Sequence, residues 1–191
     1  MAKITLYYVP YSTDAAFLKI KQTEVAAHRE YLYIFYAHVY TSIFVLLFGF
    51  MQFFSFKTIP GRRLHRFSGY QYVVLLLVFA APSGLYMGWH ANGGTASKAS
   101  FIILSLLWWV STAMALYKIK QKQYTAHRNW MVRSFALTLS AVTLRLWKVI
   151  IVFFFHLPPM EVYQIIAWLG WVPNFIIAEI IIHNQQKNNQ L

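Results

Sequence analysis

Five long apolar runs separated by short connections constrain this chain more than anything else in it. They extend from about Tyr33 to Phe54, Ser68 to Trp89, Ala99 to Tyr117, Met131 to Phe155 and Val162 to Ile182. A hydrocarbon layer about 30 Å thick is crossed by about 20 helical residues, and each run is close to that length. Only 12% of the 191 residues are charged and 59% are hydrophobic, where a soluble domain carries roughly 25% charge. Backbone polar groups in lipid have to be satisfied within the segment, so runs of this kind become helices. The expected fold is all-α, a polytopic transmembrane helical bundle of about five transmembrane helices.

The domain plan follows. Residues 1–30 form a polar N-terminal tail, with a turn at Val9-Pro10 and a short interfacial helix after the capping residues Ser12, Thr13 and Asp14. This tail has no apolar stretch of the signal-peptide kind. Residues 31–183 form a single transmembrane bundle, and residues 184–191 a polar C-terminal tail. The connections Ala91 to Lys98 and His156 to Pro159 are too short to hold a further domain.

Charge and cysteine content narrow the chemistry. With Cys 0, thiolate metal sites, iron–sulfur clusters and thiol catalysis are excluded. The net charge of +12 lies largely in short loops between apolar runs. Topogenesis and anionic lipid head groups explain that placement, and nucleic acid is not an expected partner. The loop after the first run holds Lys57, Arg62, Arg63 and Arg66, and the loop after the third holds Lys118, Lys120, Lys122 and Arg128. The positive-inside rule therefore predicts an N-terminus outside and a cytoplasmic C-terminus.

Two near-twin cassettes carry the chemistry, LHRFSGY around His65 and AHRNWMVRS around His127. Each sits in a cationic loop that feeds an apolar run at the same membrane face. In an up-and-down bundle such helices run parallel, which would put the two imidazoles at similar depth. Haem iron held by two imidazoles needs that arrangement, with cations for the propionates, and Arg66, Arg128 and Arg133 are candidates for that role. Gln52 and Gln71 could line the same site. The alternative reading makes both His-Arg pairs interfacial anchors for lipid phosphate.

A second polar group is expected towards the outer face. His38 lies about 7 Å inside the outer end of the first helix, and Arg145 about 21 Å from the inner end of the fourth. A guanidinium so far from either end needs an anion or a polar partner. Glu179 falls closer in depth to Arg133 than to Arg145, and Lys148 snorkels outward. His28, His90, His156 and His183 sit at helix ends and read as interfacial residues. The tryptophans Trp108, Trp109, Trp147, Trp168 and Trp171 fit ordinary packing and aromatic belts.

The motifs FYAHV, GFMQFF, LHRFSGYQYVV, AHRNWMVRSFALTLSAVTLR and AWLGWVPNFIIAE resemble a bacterial membrane-protein family catalogued as a predicted membrane domain of unknown function. The resemblance covers about Tyr31 to Ile182 and implies a multi-pass protein of the bacterial cytoplasmic membrane, with no catalytic assignment. Many members carry one more N-terminal helix, where this chain has a polar tail. A broader architectural similarity is to haem-binding bundles of the ascorbate-dependent b-type cytochrome and ferric-reductase type. It implies histidines near both faces, but the third run, Ala99 to Tyr117, contains no histidine, so one haem or none is expected rather than two.

The functional expectation is a haem b or quinone-linked electron-transfer protein. Its candidate iron ligands are His65 and His127, its cytoplasmic anion anchors Arg66, Arg128 and Arg133, and its outer site His38 with Arg145. The competing readings are a non-enzymatic protein binding lipid or a partner subunit, and a small transporter. No motif pairs an activated nucleophile with a base. Pro82 and Pro173 are the nearest approach to the helix breaks that transporters use.

Overall fold

The structure, a computed structural model, describes Leu18 and residues 21–52, 59–155 and 158–188. The expected turn at Val9-Pro10, the helix after Asp14, Lys57, His156 and the last residues of the C-terminal tail lie outside the described residues. Among the described residues, five helical stretches are long and apolar enough to cross a membrane: Glu30–Gln52, Gly61–Trp89, Gly94–Lys120, Tyr124–Phe155 and Met160–Asn188. All five start earlier than hydropathy places them, most of all the second and fourth. His65, Arg66, His127 and Arg128 therefore lie on helices rather than in loops. Hydropathy marks the part that needs lipid, whereas arginine is also a good helix former and carries the helix on into the head-group layer.

The chain divides into two compact units, Met1–His90 and Ala91–Leu191. The first contains α1 (Gln22–Ala27), α2 (Arg29–Gln52), α3 (Ile59–Val74), a π-helical turn (Leu75–Ala80) and α4 (Ala81–Trp89). On α2 the buried side chains Tyr31, Leu32, Phe35, Tyr36, Val45 and Leu46 recur at helical spacing. Bonds from Gln52 to Ser68, from His38 to Ser83 and from Tyr86 to Glu30 show α2 running antiparallel along α3, the π turn and α4. Leu18, Tyr31, Leu32, Phe35 and Tyr36 form a cluster with Val25, Val39, Tyr86 and Met87 packed on it.

The second unit contains α5 (Gly94–Lys120), α6 (Tyr124–Thr138), α7 (Ser140–Phe155), α8 (Pro159–Leu169) and α9 (Val172–Asn188). α5 buries Ser97, Ser100, Ser105, Ser111, Thr112 and Ala115, a stripe of small residues that lets another backbone approach closely. Trp108 Nε1 donates to Thr138 Oγ1 at 3.0 Å, and the hydroxyls of Thr112 and Ser134 lie 2.7 Å apart, which ties α5 to α6. Trp171 Nε1 donates to Ser100 Oγ, and that hydroxyl donates to the Ala167 carbonyl, so α5 also holds the end of α8. Ile151, Val162 and Ile166 form the apolar contact of α7 with α8.

Three of the five spans are not uniform α-helix. In the second, the Ala81 N–H reaches back five residues to the Leu76 carbonyl, and Pro82 follows at the start of α4. The fourth is interrupted at Leu139, the fifth at Gly170-Trp171 with Pro173 just beyond. Pro173, one of the two prolines named from sequence as the nearest approach to a helix break, lies near the centre of Met160–Asn188. Thr138, Thr143 and Ser83 each bond a carbonyl three or four residues back, a known cause of local distortion in apolar helices.

Candidate functional site

Of the proposed ligands, His127 is the best held. It sits half-buried in the first turns of α6, and its Nδ1 lies 2.8 Å from the Ala115 carbonyl of α5. A carbonyl only accepts, so Nδ1 is the donor, and in the neutral form of the ring the lone pair is then on Nε2. Ala115 is fully buried, and the bond therefore fixes both tautomer and ring orientation. The fold needs the Lys118–Tyr124 turn for this contact, and Lys122 there adopts a positive φ of 60°.

His38 is built in the same way in the first unit. Its Nδ1 is 3.0 Å from the Ala80 carbonyl and 3.1 Å from Ser83 Oγ, so again Nδ1 donates and Nε2 holds the lone pair. The receiving carbonyl is the last of the π turn, a kind of irregularity that often marks functional positions. His65 differs. It is exposed on α3, and what the structure fixes there is its backbone, whose carbonyl accepts from Gln52 Nε2 and Ser68 Oγ. Gln52 thus organises the start of the second span. Gln71, expected beside it, is half-buried one turn further along.

The arginines divide by environment. Arg66 and Arg128 are exposed. Arg133 is not available in the same way: Nε donates to Glu179 Oε1 at 2.5 Å and one Nη to Oε2 at 2.8 Å, while the guanidinium lies 4.7 Å from the Trp130 ring centre. A fork-to-fork pair of this kind is the strong form of ion pair, and it commits Arg133 to joining α6 to α9. Arg145 is exposed on α7, with its guanidinium turned back to the Ala141 carbonyl of the preceding turn. His38 and Arg145 belong to different units, as do His65 and His127.

Two polar groupings have no counterpart in the sequence reading. In the first unit His28, Tyr31, Tyr86 and His90 form an aromatic cluster, with the His28 and His90 rings 5.2 Å apart, and His28 Nδ1 is 3.5 Å from Glu30. Lys21 is buried there and donates to the His90 carbonyl. In the second unit Asn174 donates to Thr143 Oγ1 at 3.0 Å, and Thr143 donates to the Gly170 carbonyl, so the breaks of the fourth and fifth spans meet. A polar Asn one residue after Pro173 in an apolar run was the available signal. Among the described residues no three His, Asp or Glu side chains are grouped to hold a metal ion.

Five membrane-length helices and histidines whose tautomers are set by backbone carbonyls define a multi-pass helical membrane protein. The chain belongs to the family described as Predicted membrane protein (DUF2306), whose model matches residues 35–182. It is a family of unknown function. No curated protein and no solved structure matches the chain.

Proposed function

We propose that this protein is a haem b or quinone-linked electron-transfer protein of a bacterial cytoplasmic membrane, with its N-terminus outside. The observation that carries the reading is the His127 Nδ1 bond to the Ala115 carbonyl. Metal-ligating histidines are held by such a bond, which leaves the basic Nε2 for the iron. In this reading His127 would be one iron ligand with His65 as the candidate second, and Arg66 and Arg128 would neutralise the propionates, Arg133 being engaged by Glu179. A haem bound there would supply a reversible one-electron couple.

The test is an absorption spectrum of the purified protein, oxidised and then reduced with dithionite. The expected result is a b-type difference spectrum that His127→Ala and His65→Ala each abolish while the variants still insert in the membrane. A spectrum that survives both substitutions moves the ligation to His38. A protein purified without haem, which takes up none when hemin is added, overturns the reading.

A further inference from the structure

The exposed face of α3 carries a feature of which the haem reading uses Arg66 alone. Arg62, Arg63, Arg66, Phe67 and Tyr70 line a shallow groove of about 420 Å³. At about 100° per residue these positions occupy an arc of about 140° on the helix. The buried positions Gly61, Ser68 and Tyr72 fall on the opposite side, against α2. The groove is therefore a surface the first unit does not need for its own packing. Among the described residues none of the three arginines is paired with a carboxylate. Phe67 and Tyr70 are 57% and 62% exposed.

The order of residue types along the helix matches the layers of a membrane boundary. The head-group layer is roughly 5–8 Å deep on each side of the hydrocarbon. Arg62 to Arg66 rise about 6 Å, and Tyr70 lies about 6 Å further in. Guanidinium groups thus stand at phosphate depth, with two exposed rings directly below them where acyl chains begin. A guanidinium fork matches phosphate oxygens bidentately, and an aromatic floor is of no use to a free anion.

We infer that this groove is a binding site for an anionic phospholipid, with the phosphodiester held by Arg62, Arg63 and Arg66 and the first acyl carbons laid on Phe67 and Tyr70. Charge complementarity selects an anionic over a zwitterionic head group. The site shares Arg66 with the proposed haem, while Arg62, Arg63, Phe67 and Tyr70 have no part in that reading, and lipid retention is measured independently of haem content.

The full chain, purified in a neutral detergent, is mixed with dioleoylphosphatidylglycerol, dioleoylphosphatidylcholine or glycerol phosphate, and retained ligand is counted by native mass spectrometry. The expected result is retention of phosphatidylglycerol well above phosphatidylcholine. The triple variant Arg62→Gln, Arg63→Gln, Arg66→Gln loses that retention by about ten-fold or more. The control Lys118→Gln, Lys120→Gln, Lys122→Gln removes equal charge elsewhere and keeps it. A further triple, each arginine to lysine, preserves the topogenic charge and falls between wild type and the glutamine triple, because a lysine lacks the fork. Phe67→Ala with Tyr70→Ala weakens phosphatidylglycerol too. Equal loss in both glutamine triples overturns the proposal in favour of nonspecific charge. If glycerol phosphate binds as well as the lipid, the groove is a site for free phosphate. If no lipid preference exists in wild type, an acidic segment of a partner protein is the better occupant and the lipid site is wrong.

Discussion

At the scale of single residues, the pair Arg133 and Glu179 joins two helices of the second unit. Arg133 is only 20% exposed, with Glu179 at 41%, so the bridge is partly shielded, and Trp130 covers the guanidinium face. Removing one partner leaves a charge with poor solvation, whereas removing both leaves a gap that apolar atoms can fill. Arg133→Met or Glu179→Leu alone is expected to lower stability by about 1.5–3 kcal/mol, the range for hydrogen bonds to charged groups. The double variant should lose clearly less than the sum of the two. Thermal melting in detergent measures all three, and strict additivity would show that the side chains act independently. Helix depth set Glu179 nearer to Arg133 than to Arg145, but the sequence offered Arg133 as a propionate anchor, and the pair itself depends on which faces of α6 and α9 meet. The tautomer of His127 was not legible, since it depends on a carbonyl of another helix.

At the scale of elements, the start of α5 depends on backbone geometry that only glycine adopts without strain. Gly93 has φ 84° and Gly94 φ 76°. Both would cost about 1–2 kcal/mol as alanine from the left-handed conformation. They differ in surroundings. A Cβ on Gly93 would come 2.5 Å from Ser97 Oγ and 2.9 Å from Tyr163 Cδ1, while on Gly94 it would meet nothing within 4 Å. Gly93→Ala is therefore expected to lower the melting temperature more than Gly94→Ala. Equal losses would mean that backbone strain alone matters and that α5 and α8 do not press on this turn. The Asn-Gly-Gly turn was readable from sequence as a connection. The contact with Tyr163 was not, because that residue lies far along the chain.

At the scale of the whole molecule, orientation in the membrane is open to a direct test. The native chain has no cysteine, so single cysteines report without background. Cysteines placed at Lys57 and Gln121 should resist a membrane-impermeant thiol reagent in intact cells, and one at Asn92 should react. Labelling at Lys57 in sealed cells would reverse the proposed orientation.

The number of spans and their helical nature were determined by the sequence alone, because hydrophobicity and the demand for internal backbone bonds are properties of contiguous residues. So was the position of the cationic connections, which are read off directly. What only the tertiary structure decided is where those helices depart from regularity and which polar atoms they share. The π turn ends at a carbonyl that His38 of another helix satisfies. The interruption at Gly170 exposes a carbonyl that Thr143 and Asn174 take up. In each case a side chain distant in sequence, His38 or Thr143, bonds a carbonyl at the irregularity. Such contacts are non-local, and no short window along the chain contains both partners.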